Sequence, residues 1–106
     1  MSRTITPTDL KSLVEKKAVT VLDVRRQIEF AADTVTLPGA QWSNPEQMTE
    51  WSKTLPKDKE VVIYCARGGS VSNSVLDHLL AQGVPARYIE GGIEAWKAAG
   101  GATAAK

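Results

Sequence analysis

The chain of 106 residues holds one cysteine and one histidine, so any thiol or imidazole chemistry has few places to sit. Cys65 follows the apolar, mostly β-branched run Val61-Val62-Ile63-Tyr64 and precedes Ala66-Arg67-Gly68-Gly69-Ser70. Val71, Val75, Leu76, Leu79 and Leu80 then recur at helical spacing. The order is strand, cysteine, glycine-rich turn, helix. Adjacent glycines permit positive φ and close backbone approach. A tight turn of this kind can aim successive N–H groups at one point and form an anion nest. The helix N-terminus adds partial positive charge, and Arg67 adds a full one. Each of these favours thiolate over thiol. The competing reading is a packed, inert cysteine, because free Cys is often a small buried hydrophobe. The turn-and-helix context favours the reactive reading.

Several chemistries fail on spacing. His78 falls about eight residues into the helix, roughly 12 Å along its axis, too far for a Cys–His dyad. It reads as a solvated helix residue beside Asp77. A Cys-x5-Arg phosphatase loop needs arginine at position 71, where the chain has Val71. No Gly-Lys-Ser/Thr follows a strand, so there is no Walker loop, and Gly68-Gly69 is not a dinucleotide fingerprint. One Cys and one His cannot make a four-ligand structural zinc site, and no metal or cofactor is expected. What remains is a thiolate in a cradle of backbone donors that needs no general base. Sulfur-atom transfer fits, because its covalent product, a persulfide, is an anion that uses the same donors.

The elements that must position this turn can be read along the chain. Thr6-Pro7-Thr8-Asp9 opens a first helix, with Thr6 as cap and Leu10, Leu13 and Val14 on one face. Val19 to Val24 is a β-branched run that ends in charge, as a buried strand does at its carboxyl end. Residues 25–42 show no clear period and read as loop, with a short strand at Ala40-Gln41-Trp42. Asn44 caps a helix carrying Met48, Trp51 and Leu55, and Pro56-Lys57-Asp58-Lys59 is a turn. The Cys65 helix is stopped by Gly83 and Pro85. Arg87-Tyr88-Ile89 is a last strand, and Gly91-Gly92 leads into a short helix carrying Trp96. Alternating strands and helices predict an α/β domain with a mainly parallel sheet. Sites in such sheets lie beyond the carboxyl ends of the strands, here Asp23 to Arg26 and Cys65 to Ser70.

Composition narrows the function classes. Thirteen Lys and Arg against twelve Asp and Glu leave a net charge of +1, and the chain is 42% hydrophobic. That is an ordinary globular balance with no phosphate-neutralising surface, so no nucleic-acid partner is expected. No apolar run approaches the roughly 20 residues that span a bilayer, and no apolar stretch follows Met1-Ser2-Arg3-Thr4. The expected location is therefore cytoplasmic and off the membrane. The length suits one domain over residues 1–100, and the small-residue tract 101–106 is expected to be a flexible tail.

These residues carry a family resemblance. Tyr64-Cys65-Ala66-Arg67-Gly68-Gly69-Ser70-Val71-Ser72 resembles the active-site loop of the rhodanese family. Val21-Leu22-Asp23-Val24-Arg25 is similar to that family's early Asp-x-Arg signature. Pro38-Gly39-Ala40 resembles its Pro-Gly-Ala turn, and Glu90-Gly91-Gly92-Ile93-Glu94-Ala95-Trp96 its C-terminal Gly-Gly…Trp segment. The four matches occur in family order over residues 20–96. The resemblance implies a small α/β fold with a five-stranded, mainly parallel sheet flanked by helices, and thiosulfate sulfurtransferase activity. Three departures matter, the first being Ser70 at the sixth loop position, where many single-domain members carry a basic residue and this chain puts the loop charge on Arg67 instead. The family's Gly-His-Ile before Pro-Gly-Ala is replaced by Asp33-Thr34-Val35 with two extra residues, Thr36 and Leu37. Glu29 stands where some thiosulfate users carry a basic residue.

The expected roles follow. Cys65 is the nucleophile, and backbone N–H groups of Ala66, Arg67, Gly68, Gly69, Ser70 and Val71 hold the transferred sulfur. Arg67 pairs with the sulfonate of the donor. Ser70 and Ser72 add donors or cap the helix. Asp23 and Arg25 support the site as a structural pair, with a rim contact as the alternative. Trp42, Trp51 and Trp96 are core or rim aromatics. The expected partners are thiosulfate, a thiophilic acceptor such as cyanide or a thiol, and a protein sulfur acceptor in the carrier version of the same chemistry. A non-catalytic interaction module on the same fold is a further reading, weakened by the intact Cys65 and Gly68-Gly69. A redox-sensing thiol would need an intermolecular partner, since no second cysteine is present.

Overall fold

The computed structural model describes residues 3–55, 58–67 and 69–105. In chain order its elements are β1 (Thr4–Ile5), α1 (Pro7–Glu15), β2 (Val19–Asp23), α2 (Gln27–Ala32), β3 (Val35–Thr36) and β4 (Gln41–Trp42). A 3-10 turn over Pro45–Gln47 leads into α3 (Met48–Trp51) and a second 3-10 turn over Ser52–Thr54. Then come β5 (Glu60–Tyr64), α4 (Ser70–Ala81), β6 (Ala86–Ile89), α5 (Gly92–Ala98) and β7 (Ala104–Ala105). The main sheet has five strands in the order β1-β6-β5-β2-β4, all parallel. The expected architecture is therefore present.

The sheet is buried on both faces, which explains its continuous apolar strands. Side chains alternate across the pleat. Val62 and Tyr64 of β5 join Ile5, Leu10, Ile89, Ile93 and Trp96 in one core under α1 and α5. Val61 and Ile63 join Leu22, Val75, Leu76 and Leu79 in the other, with Met48 and Trp51 packed against it. Strands β2 and β5 lie in register, Leu22 opposite Ile63 and Asp23 opposite Tyr64. Asp23 and Cys65 consequently emerge at the same edge. Among the described residues no helix is long and apolar enough to cross a membrane.

Three regions differ from the sequence expectation. Residues 27–32, read as loop, form α2. None of its residues is buried, so it has no apolar stripe to betray it. It is held instead by the Glu29 carboxylate accepting from the Arg26 N–H at 3.3 Å and by Phe30 stacked on Trp42, centroids 4.8 Å apart. Two-residue β1 was too short to show a period, yet it caps the sheet edge against β6. The terminal tract expected to fray runs along β3, with Ala104–Ala105 antiparallel to Val35–Thr36. Trp96 Nε1 donates to Ala102 O at 2.8 Å, which ties the start of that tract to the core. The turn read at residues 56–59 falls partly on Pro56 and Lys57, outside the described residues.

Candidate active site

Cys65 stands directly after β5, at the carboxyl end of the central strand of the sheet. The residue is 5% exposed. It is not sealed in hydrocarbon, because it forms part of the wall of a cleft of about 380 Å³. Loop residues Ala66, Arg67, Gly69, Ser70 and Val71 line the same cleft, so six of the sequence-predicted residues come together there. Gly68 lies outside the described residues. Arg67 is exposed at the mouth.

The cleft borders the N-terminus of α4. Its 12 residues start at Ser70 with Gly69 in the cap position, and no side chain supplies a cap bond. The first intrahelical bond near this end is Asn73 N–H to Gly69 O at 3.3 Å, so helix geometry leaves Ser70, Val71 and Ser72 N–H without intrahelical acceptors. Neither Ser70 nor Ser72 caps the helix. Ser70 is exposed on its first turn; Ser72 is fully buried, and its Oγ has no hydrogen-bond partner among the described residues. Gly69 also departs from expectation: its φ is −95°, and a Cβ there would meet nothing within 4 Å. Its φ is not left-handed, and its surroundings leave room for a side chain.

The close approach occurs elsewhere. Ile93 N–H donates to Cys65 O at 3.0 Å and Glu94 N–H to Ala66 O at 3.2 Å. A Cβ on Gly92 would fall 2.5 Å from Cys65 O and 2.7 Å from the carbonyl carbon and oxygen of Ala66. The Gly-Gly…Trp segment thus packs its helix start onto the cysteine loop.

Asp23 and Arg25 do not line this cleft. They form a buried ion pair, 0% and 2% exposed, with Arg25 Nη2 to Asp23 Oδ2 at 2.7 Å and Nε to Oδ1 at 3.0 Å. Arg25 also donates to Asp33 Oδ2 at 2.8 Å and to Val35 O at 3.1 Å. Its guanidinium lies over the rings of Phe30 and Tyr64, 5.5 and 5.7 Å from their centroids. Lys97 of α5 reaches the same Asp33 oxygen at 3.0 Å. The structural role, a bracket joining β2, α2, β3 and α5, is what the geometry describes.

The bracket sets the ionisation around it. Burial opposes the Asp33 charge, but hydrogen bonds from Lys97, Arg25 and the N–H groups of Val35 and Thr34 outweigh it and hold the carboxyl well below the usual range. Burial, then the nearby Asp23 charge, push the Tyr64 phenol upward, so its hydroxyl stays protonated while accepting from Leu37 N–H at 3.3 Å. Burial tends to lower the Arg25 pKa, yet hydrogen bonding to Asp23 raises it overall.

Arg26, the last residue of the strand-end segment Asp23 to Arg26, also lines the Cys65 cleft, together with Glu29 and with Glu94, which residue chemistry alone had not singled out. Arg26 Nε and Glu29 Oε1 are 3.4 Å apart. The cleft therefore carries two cationic and two anionic side chains. The sequence signal for Arg26 was its place at the carboxyl end of β2; that for Glu94 was adjacency alone, just past Gly91-Gly92. A shallower, more apolar groove of about 240 Å³ adjoins it, sharing Arg26, Ser70 and Val71 and floored by Pro45, Met48 and Val75. His78 is only partly solvated: its Nε2 lies 3.0 Å from Ser52 Oγ and 3.2 Å from Gln82 Nε2, where the second 3-10 turn packs on α4. Among the described residues no cluster of His, Cys, Asp or Glu gathers that could hold a metal ion.

Comparison with known proteins agrees with this architecture. A sequence model of the rhodanese-like domain matches residues 6–99. Thiosulfate sulfurtransferase GlpE of Coxiella burnetii is 33% identical over 99 residues, covering 92% of this chain and 90% of its own. The crystal structure of a rhodanese-related protein from Thermoplasma volcanium matches with a TM-score of 0.86 at 28% identity, over 99% of this chain and 100% of that one. A rhodanese-like domain protein from Staphylococcus aureus matches at 0.77 and 31% identity, over 90% and 91%.

Proposed function

The chain belongs to the rhodanese-like domain family, and from that membership we propose that it is a sulfurtransferase moving a sulfane sulfur from thiosulfate to cyanide or a thiol through a persulfide on Cys65. The observation that carries this reading is the position of Cys65. The chain's one thiol lines a cleft at the end of the central strand, between a backbone loop and the start of a 12-residue helix. That surrounding supplies donors and partial positive charge to a sulfur anion.

In the first step the Cys65 thiolate attacks the outer sulfur of thiosulfate. A new S–S bond forms, the old one breaks, and sulfite leaves with its electron pair. Arg67 at the mouth pairs with the sulfonate oxygens. Backbone N–H groups of Ala66, Arg67, Gly69, Ser70 and Val71 hold the terminal sulfur, which bears the charge of the persulfide. In the second step cyanide or a thiolate attacks that terminal sulfur. Thiocyanate or a new persulfide departs, and Cys65 returns to thiolate. No proton need move at the reacting sulfur, which fits a cleft without an imidazole. Two half-reactions on one residue predict ping-pong kinetics. Asp23 and Arg25 act as scaffold.

The test is an intact mass after thiosulfate treatment and desalting. A gain of one sulfur, about 32 Da, is expected for the wild type and not for Cys65→Ser, because the nucleophile holds the covalent intermediate. An unchanged wild-type mass with thiosulfate, cysteine persulfide and polysulfide as donors would overturn the reading.

A further inference from the structure

We infer that the first turn of α5 orients the Cys65 loop, and that Gly92 is the positioning residue that lets it do so. The orientation is a matter of backbone geometry; only what the oriented amides hold rests on the sulfur-transfer reading. Ile93 and Glu94 N–H take the carbonyls of Cys65 and Ala66. The peptide bonds of the described residues are trans, and a trans peptide sets its C=O and N–H on opposite sides. Drawing those two carbonyls onto α5 therefore turns the N–H groups of Ala66 and Arg67 the other way, away from α5 and into the turn of the loop. Two successive N–H groups facing one way are the start of an anion nest. Ser70 and Val71 N–H, orphaned at the start of α4, complete it from the far end of the loop. The loop is set from outside by another helix, which explains why the positive φ and the crowding fall at Gly92 and not at Gly69.

Gly92 has φ +66°, and its absent Cβ would strike backbone atoms of Cys65 and Ala66, which cannot swing aside. Retreat of α5 is blocked as well, since Ile93 and Trp96 are each 1% exposed in the core. Gly39 offers a natural control. Its φ is +75°, but a Cβ there would meet nothing within 4 Å. Alanine at either position carries the left-handed backbone cost, and only at Gly92 does it crowd the loop.

The experiment uses ¹⁵N-labelled wild type, Gly92→Ala and Gly39→Ala. It follows the amide signals of Ala66 and Arg67 and the single-turnover rate at which thiosulfate adds sulfur to Cys65. Gly92→Ala is expected to move both signals and slow loading by about a hundredfold, the usual effect of misplacing charge-stabilising donors by an ångström. Gly39→Ala should leave the signals in place and load within about twofold of wild type, since its added methyl touches nothing. A folded Gly92→Ala with wild-type signals and loading rate would overturn the inference. Where Gly92→Ala does not fold, Glu94→Pro deletes the donor to Ala66 O in the first turn of α5, where the lost N–H has no intrahelical acceptor. It is compared with Glu94→Ala: slower loading with a displaced Arg67 signal supports the inference, and equal loading with an unmoved signal overturns it. A wild type that loads no sulfur removes the sulfurtransferase reading instead, and the amide signals still decide the positioning role.

Discussion

Arg25 and Asp23, two residues apart, close on each other as a buried ion pair, and the Arg25 N–H also donates to Asp23 Oδ1 at 3.0 Å. The chain turns sharply off β2 around this pair. Trp42 Nε1 donates to Arg25 O at 2.9 Å, so the turn is held from the neighbouring strand as well. The arginine spends its remaining donors on Asp33 and Val35, and its π-faces on Phe30 and Tyr64. A buried charge is tolerable only when compensated in this way.

Breaking that compensation should be costly. Arg25→Met leaves the Asp23 carboxylate buried beside the Tyr64 ring and is expected to destabilise the fold by about 3–5 kcal/mol. The double variant Asp23→Leu/Arg25→Met should cost less than the sum of the two single changes, since no orphan charge remains. Urea unfolding of the four proteins checks this; strict additivity would mean that the pair is not coupled.

Asp33 gives the acid limb of stability. Its carboxyl is held below the ordinary range in the folded protein by Lys97, Arg25 and two backbone N–H groups, against the effect of burial. The unfolded chain therefore binds its proton first as pH falls. The stabilisation is fully present above about pH 5 and is lost progressively below the ordinary carboxylate pKa. Asp33→Asn should be less stable than wild type at pH 7, and the gap should close toward pH 2. Thermal melts at the two pH values measure it; a constant gap contradicts the assignment.

Charge in the Cys65 cleft should tune the donor. Arg67→Ala removes a cation at the mouth and is expected to raise KM for thiosulfate by roughly tenfold, with a smaller change in the cyanide half-reaction. Glu29→Lys replaces an anion lining the same cleft and should lower that KM by several-fold, about the size of a screened charge reversal near a dianion. Both effects should shrink at high salt. Steady-state kinetics at two ionic strengths test them, and an Arg67→Ala enzyme with wild-type KM would take the sulfonate role away from Arg67.

The tail should matter through Trp96. Removing residues 102–106 deletes the acceptor of its indole N–H and the partner strand of β3. A stability loss of about 1–3 kcal/mol is expected, the cost of an unsatisfied buried donor. In a Trp96→Phe background the same truncation should cost less, because no donor is stranded. Equal losses in both backgrounds would assign the effect to the strand pairing alone.

What could be read before any coordinates follows from periodicity. Strands β2 and β5 are buried on both faces, so they appear as unbroken apolar runs, and α1 and α4 carry apolar stripes with caps and stops. The Cys65 turn was legible because its neighbours in space, Ala66, Arg67, Ser70 and Val71, are its neighbours in sequence. Helix α2 was not, since it buries nothing and is held by one carboxylate and one ring stack. The glycine-rich turn pointed to backbone freedom at Gly69, whereas the crowding is at Gly92.

Local order alone thus determined the strand–cysteine–helix unit and the parallel sheet around it, because both are written in adjacent residues and short periods. Only the tertiary structure decided which groups surround the thiol from afar. Arg26, Glu29 and Glu94 reach the cleft, Lys97 meets Asp33, and α5 takes the carbonyls of the loop, across separations of up to 64 residues. The physical reason is that a contact between distant segments depends on how helices seat on the sheet, and that seating is set by the summed packing of two cores, which no single stretch of sequence contains.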